Sequence, residues 1–199
     1  NKKNECYIVE GYTDVISMHQ AGVCNVVAAS GTALSSSQIN LIKRLTNNVI
    51  LLFDSDEAGE QASYKHIDTL LKEGMNIKAV TFPKGEDPDS YSNKLSNKDF
   101  IDFLRSHEKD FIEHKIELFL NKNEKISPSE KVENIKSIAK SISVIPDKLL
   151  RLEYCKLSSS LLEISENDML DEISKFQKEG KIVSPQKKFQ NTDRSTENT

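Results

Sequence analysis

The pattern of apolar and polar positions along the first 95 residues switches repeatedly between strand and helix. Short apolar runs typical of buried strands are separated by segments whose apolar residues recur every three or four positions, the helical spacing. The predicted strands are 6–9, 23–29, 48–53 and 77–82. The predicted helices are 13–21, 35–45, 57–73 and a short one at 89–94. Strands and helices that alternate at this pace predict an α/β fold with an open, mostly parallel sheet and flanking helices.

From about residue 97 onward the strand signals vanish and the pattern becomes helical. Four amphipathic segments predict helices at 98–120, 128–143, 147–163 and 166–178, and Gly180 is expected to close the last one. The final residues are polar and charged, with too few apolar side chains to build a core. We therefore expect an α/β domain over 1–95, a small α-helical subdomain over 96–180, and a flexible linker or tail over 181–199.

Composition narrows the class of protein without deciding its function. The chain has 199 residues, 37% of them apolar, and a net charge of −4, and no apolar run approaches the roughly 20 residues that span a bilayer. The three cysteines, Cys6, Cys24 and Cys155, are far apart and form no Cys-x-x-Cys pair. We expect them to be buried free thiols, which fits the reducing cytoplasm. Because there is no Cys-x-x-Cys pair, we expect no zinc ribbon in this chain. The net negative charge argues only weakly against binding to nucleic acid, because a catalytic site built from carboxylates is acidic whatever its partner.

Acidic residues follow three of the predicted strands. Glu10 ends the first strand, Asp54 and Asp56 follow the third, and Asp87 and Asp89 lie in the loop after the fourth. Ligands of open parallel sheets bind at the carboxyl ends of the strands. Carboxylate oxygens are the ligands that Mg²⁺ prefers, and such a cluster would repel itself without a cation. The pattern therefore predicts a metal site at one edge of the sheet.

Each acidic residue also has a purely structural interpretation. Asp56 can cap the following helix, the Asp87-Pro88-Asp89 stretch can form a turn and a cap, and Glu10 can be a solvated strand end. Their joint placement after successive strands favours the metal site.

Four motifs resemble the DnaG-type primases. They are Glu-Gly-Tyr-Thr-Asp at 10–14, Ala-Ser-Gly-Thr-Ala-Leu at 29–34, Phe-Asp-Ser-Asp-Glu-Ala-Gly at 53–59 and Gly-Glu-Asp-Pro-Asp at 85–89. The first and third are similar to the TOPRIM fold that primases share with topoisomerases and some nucleases, and the other two favour a primase. The resemblance is close from residue 5 to about 95, and extends to about 180 only in layout.

The resemblance implies roles for individual residues. Glu10 matches the catalytic glutamate of the family, which acts as a metal ligand or as a general base for the primer 3′-hydroxyl. Asp54 and Asp56 match its paired metal aspartates, and Asp14, Asp87 and Asp89 match further acidic positions. The chain departs from many family members at Ser55, where they have glycine between the two aspartates. Serine is small, so we expect the metal site to tolerate it.

The resemblance also implies an activity and its partners. The expected reaction is nucleotidyl transfer with Mg²⁺ or Mn²⁺, two or more ions in all, which joins nucleoside triphosphates into an RNA primer on a single-stranded DNA template. In this family a zinc-binding domain and a basic template-holding subdomain precede this region, and a domain that binds the replicative helicase follows it. We expect the chain to be a monomeric, inactive fragment that carries none of these parts.

The remaining chemistry-bearing residues give weaker signals. Lys84 could contact phosphate, as could Lys43 and Arg44, although the last two fit an ordinary solvated helix face. Tyr12 is expected to pack rather than to act as a nucleophile. His19, His66, His107 and His114 lack ligand spacing, and we expect them to be surface residues or satisfied core residues.

Two other functional classes stay open. The first is a different enzyme, either another TOPRIM enzyme of the topoisomerase or nuclease type or a phosphatase of the haloacid dehalogenase type with Asp54 as nucleophile. The second is a non-catalytic module that docks a partner. Binding of a divalent metal separates the docking module from the enzymes, and an acyl-phosphate on Asp54 separates the phosphatase from the primase.

Overall fold

A mixed, mostly parallel sheet organises the chain. The computed structural model describes residues 4–30, 34–53, 67–121 and 127–182. Within them, five strands form one sheet in the order β2-β1-β3-β4-β5, in which the first four strands are parallel and β5 is antiparallel to β4. The strands are β1 Cys6–Val9, β2 Val26–Ala28, β3 Asn48–Phe53, β4 Asn76–Thr81 and β5 Lys109–Asp110.

Helices lie between the strands, and the described residues after β5 form four further helices. Of helix α3, the structure describes residues 67–72. The other helices are α1 Tyr12–Gln20, α2 Ser36–Lys43, α4 Pro88–Ser92, α5 Asn97–Ser106, α6 Phe111–Asn121, α7 Pro128–Ser143, α8 Lys148–Leu162 and α9 Glu166–Ile182. Serine or aspartate caps begin several of them, as in α7, where the Ser127 Oγ accepts a hydrogen bond from the Glu130 N–H. Gly74, at φ +73°, ends α3 in the left-handed conformation that favours glycine.

The central strand β3 brings the other parallel strands into register. It pairs with β1 on one side and with all six residues of β4 on the other, and Val49 to Phe53 are all buried. An uninterrupted apolar run is what a parallel strand covered on both faces requires. Because β1 to β4 run the same way, their carboxyl ends lie along one edge of the sheet, called here the carboxyl edge.

Each face of the sheet has its own apolar core. On one face, Tyr7, Val9 and Leu52 pack with Met18 of α1 and Phe100 of α5. The core of the other face runs from Ile8, Leu51 and Ile77 through the helices α6, α7, α8 and α9, and its helical members include Ile116, Ile138, Cys155 and Ile173. The helical half is therefore built onto the sheet rather than around a separate core, and the predicted domain boundary at 95/96 stays a prediction.

The helix predicted at 98–120 is wrong, because two helices and a strand occupy this region. Helix α5 ends at Ser106, β5 pairs with β4 through Lys109 and Asp110, and α6 begins at Phe111. The prediction that no strand follows residue 97 is wrong for the same reason. The side chains of Phe100, Leu104 and Phe111 fit an uninterrupted helical spacing, whereas the pairing that forms β5 is a long-range contact that local periodicity does not contain.

Smaller differences concern the ends of elements. Strand β2 is shorter than the predicted 23–29, because the Val23 N–H donates to the Met18 carbonyl and so belongs to the end of α1. Helix α9 continues through Gly180 to Ile182 instead of stopping at the glycine. The three cysteines are free, as predicted, but only Cys155 is fully buried and Cys24 is exposed. None of the described helices has the length and apolar character needed to cross a membrane.

Candidate functional site

Glu10 stands where β1 leaves the sheet at the carboxyl edge. Its side chain is exposed, and its carbonyl accepts a hydrogen bond of 2.8 Å from the Ser30 N–H, which ties the end of β1 to the loop after β2. The register that pairs Ile8 with Leu51 places Glu10, two residues further on, level with Phe53. Glu10 therefore lies beside the residue that precedes Asp54 in the sequence.

Asp14 lies in the first turn of α1, directly above the end of β1. Its Oδ2 accepts a hydrogen bond of 2.9 Å from the Gly11 N–H, so the carboxylate closes the start of the helix. The side chain is buried, and its burial raises its pKa above the ordinary aspartate value. The Gly11 N–H opposes this rise, whereas the negative charges of Asp87 and Asp89 add to it.

The loop after β4 carries two more carboxylates to the same place. Asp87 caps α4 and accepts a hydrogen bond of 2.6 Å from the Ser90 N–H. The Asp89 Oδ1 accepts hydrogen bonds from the Ser17 Oγ at 2.5 Å and from the Asn93 Nδ2 at 2.9 Å. The contact between Ser17 and Asp89 joins α1 to α4 and so keeps this loop against the start of α1.

Glu86 belongs to this loop but is neutralised within it. It forms an ion pair with Lys94 and accepts a hydrogen bond of 2.8 Å from the Ser90 Oγ. The hydrogen bonds from Lys94 and Ser90 hold the pKa of Glu86 below its ordinary value. Glu86 therefore keeps its negative charge, which the ammonium group of Lys94 balances.

The donor chemistry at this edge fits a hard divalent cation. Carboxylates come from the end of β1, from α1 and from the loop after β4, and the like charges of Asp87 and Asp89 act on Asp14. Among the described residues, no three histidine, cysteine, aspartate or glutamate side chains are grouped closely enough to hold a metal ion. Asp54, Ser55 and Asp56 lie outside the described residues, so their predicted convergence with Glu10 stays a prediction.

A small apolar cavity lies under the edge beside Glu10. Its volume is about 50 Å³, and Leu51, Phe53 and Ile67 contribute to its walls. Pockets that enclose small-molecule ligands are typically about 300–1,000 Å³. The cavity is therefore too small to enclose a small-molecule ligand of ordinary size.

Comparison with known proteins identifies relatives that share this fold and match the part of the chain that carries the carboxylates. The Toprim-like family matches residues 7–92. A DNA primase of Staphylococcus aureus is 33% identical over 173 residues, which are 86% of this chain and 28% of that protein. A DNA primase domain from Pseudomonas aeruginosa superimposes with a TM-score of 0.72 and 26% identity over 89% of this chain and 55% of that one.

This chain belongs to the TOPRIM-containing catalytic core of the DnaG-type primases. A DnaG primase catalytic domain solved with single-stranded DNA also matches, with a TM-score of 0.66 and 26% identity over 80% of this chain and 52% of that one. TOPRIM domains generally bind divalent metal ions. The chain spans about 28% of the length of its curated relative from S. aureus.

Of the six predicted acidic residues, the structure describes four, and all four lie at the carboxyl edge. The negative charges of Asp87 and Asp89 are close enough to raise the pKa of Asp14, and Glu10 lies at the same edge. Helix capping predicted the position of Asp87. The bridge from Ser17 to Asp89 was missed, because Ser17 is an unremarkable helical serine in the sequence.

The weakly predicted basic residues fall in two places. Lys84 is exposed in the loop after β4, beside the acidic residues. Lys43 and Arg44 lie at the end of α2, near the start of β3, and the Lys43 Nζ forms an ion pair of 3.4 Å with Glu73. The structure therefore does not bring Lys43 and Arg44 together with the carboxylates.

Tyr12 and the histidines complete the comparison. The prediction that Tyr12 packs is wrong, because 74% of its surface is exposed. His114 is buried, at 6% exposure, while His19 and His107 are exposed and His66 lies outside the described residues.

Proposed function

We propose that this chain supplies the metal-binding site for nucleotidyl transfer in the synthesis of RNA primers on single-stranded DNA. The observation that carries the proposal is the placement of Glu10, Asp14, Asp87 and Asp89 along the carboxyl edge of a TOPRIM-like sheet. The similarity of this chain to primase catalytic domains supports nucleotidyl transfer as the reaction class. The relative solved with single-stranded DNA supports single-stranded DNA as the template.

The residues divide into ligands and supports. Glu10, Asp54 and Asp56 would hold Mg²⁺ or Mn²⁺, which supplies positive charge to the triphosphate and activates the primer hydroxyl. Asp14 and Asp89 already accept hydrogen bonds within the protein, so they would support the site rather than bind the metal. Both add negative charge, and Asp89 ties α4 to α1 through Ser17. Lys84 stands where a phosphate contact is possible. Glu10 serves either as a ligand or as the base for the hydroxyl.

The setting of the reaction is part of the proposal. The substrates would be nucleoside triphosphates and the growing RNA primer, and two or more metal ions would act together. The cellular place would be the cytoplasm, where bacterial replication proteins and their nucleotides are found. A partnership with the replicative helicase would use a region of the primase other than this one.

Metal-linked stability tests the proposal directly. A cation that binds only the folded chain adds about 2.7 kcal/mol to its stability at a hundredfold excess over Kd. Thermal melts with and without Mn²⁺ should therefore show a shift in the parent chain and none in the Asp54→Asn/Asp56→Asn variant. Without metal, this variant should be at least as stable as the parent, because two repelling charges are gone.

The matched control changes the same charge elsewhere. Asp102 and Asp171 are exposed on α5 and α9, so Asp102→Asn/Asp171→Asn should keep the full Mn²⁺ shift. Equal shifts in all three proteins would show that Asp54 and Asp56 are not the ligands. If no protein shifts, even when a nucleoside triphosphate is added, the chain does not bind metal and the proposal fails.

A further inference from the structure

Two consecutive residues of α6 reach polar partners that local packing does not require. His114 and Lys115 are buried, at 6% and 3% exposure, in a helix whose other buried residues are Phe111, Ile112 and Ile116. A buried ammonium group is costly, and replacing such a group with an apolar side chain is often neutral or stabilising. Stability of the core alone therefore does not account for Lys115.

His114 contacts the carboxyl ends of the two central strands. Its ring stacks on Phe53, with ring centroids 5.7 Å apart and planes 5° from parallel. Its Nε2 forms a hydrogen bond of 3.4 Å with the Thr81 Oγ1, and Thr81 pairs with Phe53 across β3 and β4. Burial lowers the pKa of His114 to about 4, so the ring is neutral near pH 7. Depending on the tautomer, either Nε2 donates to the Thr81 hydroxyl or the hydroxyl donates to Nε2. The ring thereby fixes the last residue of β3.

Lys115 reaches helix α3 through a serine. Its Nζ donates to the Ser137 carbonyl at 3.0 Å and to the Ser141 Oγ at 2.9 Å, and the Ser141 hydroxyl donates to the Asp68 Oδ1 at 2.9 Å. Asp68 stands near the start of the described part of α3. Burial lowers the pKa of Lys115 to about 8, while the negative charge of Asp68 opposes this. The bridge thus connects α6 and α7 of the helical half to α3.

The two contacts lie on either side of the metal aspartates in the sequence. Phe53 immediately precedes Asp54, and α3 follows Asp56. We propose that His114 and Lys115 are positioning residues, which hold the end of β3 and helix α3 in the arrangement that the metal site requires. The inference rests on the proposed function, because it assigns the helical half a role in metal affinity.

Metal affinity separates positioning from simple packing. Loss of residues that orient metal ligands typically weakens metal affinity 10- to 100-fold. Calorimetric titration with Mn²⁺, at a temperature where every protein is folded, should show Kd raised about tenfold or more by His114→Ala and by Lys115→Met. The milder variants Thr81→Val and Ser141→Ala remove the same two connections from the opposite side and should act in the same direction.

The control loses stability without touching either connection. Ile173→Val removes one methylene from α9 and should cost about 0.5–1.5 kcal/mol of stability while leaving the Kd for Mn²⁺ unchanged. Variants of His114 and Lys115 that bind Mn²⁺ within twofold of the parent would overturn the inference, whatever their melting temperatures.

Amide hydrogen exchange distinguishes this inference from the proposed function. In the metal-free chain, Lys115→Met should speed exchange in residues 67–72 and leave α9 unchanged, and Ile173→Val should not change 67–72. If the parent binds no Mn²⁺, even when a nucleoside triphosphate is added, the proposed function fails. Faster exchange in 67–72 would then still support the positioning, and unchanged exchange would overturn it.

Discussion

Asp14 shows how one carboxylate can serve a helix and a charged site together. Its oxygen closes the start of α1 through the Gly11 N–H, while Asp87 and Asp89 place two further negative charges nearby. The hydrogen bond favours the ionised form, and burial and like charges oppose it, with a net rise in pKa. Burial, helped by the two neighbouring negative charges, therefore makes the ionised form of Asp14 less favourable in the folded chain than in the unfolded one.

Two substitutions at Asp14 separate these contributions. Asp14→Asn keeps an oxygen for the Gly11 N–H and removes the charge, so at pH 7 without metal it should match or exceed the parent in stability. Asp14→Ala removes the acceptor and should cost about 1–2 kcal/mol, as the loss of a helix cap does. Urea denaturation measures both. An Asp14→Asn variant as destabilised as Asp14→Ala would show that the charge is favourable.

The pH dependence of Asp14 has a definite sign. A carboxyl group whose pKa is higher in the folded chain binds more protons there, so its contribution to stability falls as the pH rises through the folded pKa. The parent should therefore lose stability relative to Asp14→Asn as the pH rises above the ordinary aspartate range, about 4. The difference between their unfolding free energies at pH 4 and pH 7 measures this. A constant difference would contradict the raised pKa.

Sequence alone could predict residues whose role depends on their position along the chain. Glu10, Asp87 and Asp89 lie at the edge that strand ends predict, because parallel strands deliver their carboxyl ends to one side. Ser17 and His114 could not be predicted, because each acts on a partner more than 30 positions away, Asp89 for Ser17 and Phe53 for His114. Helical spacing says which face a residue lies on and nothing about which distant polar atom faces it.

At the scale of elements, Asp110 decides where the helical half begins. Its Oδ1 accepts a hydrogen bond of 2.8 Å from the Ile112 N–H at the start of α6, and its Oδ2 accepts one of 2.6 Å from the Tyr154 hydroxyl on α8. The same residue belongs to β5, which pairs with β4. A single carboxylate therefore joins the sheet edge to two helices.

Substitutions at Asp110 should reveal this junction. Asp110→Ala loses a cap, worth about 1 kcal/mol, and a charged hydrogen bond, worth about 1.5–3 kcal/mol, so we expect a total loss of about 2.5–4 kcal/mol. Tyr154→Phe removes only the second contact and should cost less. Urea denaturation at pH 7 gives both values. A change of under 0.5 kcal/mol for Asp110→Ala would show that solvent replaces both contacts.

The sequence contains a helix-start signature at this junction, but the apolar spacing around it favours an uninterrupted helix. Asp110 is followed three positions later by Glu113, the spacing of a helix-start signature. The apolar spacing of Phe100, Leu104 and Phe111 nevertheless predicts one continuous helix. The strongly apolar β3 and the serine-capped α7 were predictable for the opposite reason, since in both of them capping or burial agrees with the local pattern.

At the scale of the whole molecule, the sheet and the helical half share a core. Ile8, Leu51 and Ile77 of the sheet belong to the same buried cluster as Ile116 and Ile138 of the helices. Burying one such side chain contributes about 1.5–3 kcal/mol, whereas a typical domain is stable by only about 5–15 kcal/mol in total. Exposing even a few of these side chains to solvent would therefore remove most of the free energy of unfolding of the α/β part.

Truncation tests whether the predicted boundary at 95/96 separates independent folding units. A polypeptide of residues 1–106 keeps β1 to β4 and α1 to α5 but loses the helices that cover one face of the sheet. We expect it to melt without a cooperative transition and to give a poorly dispersed amide spectrum, whereas residues 1–182 should melt as the parent does. A cooperative melt and a dispersed spectrum for 1–106 would instead show that the α/β part folds alone. In that case the shared core would be an interface between two domains, and the effect of Lys115→Met on residues 67–72 would have to act across that interface.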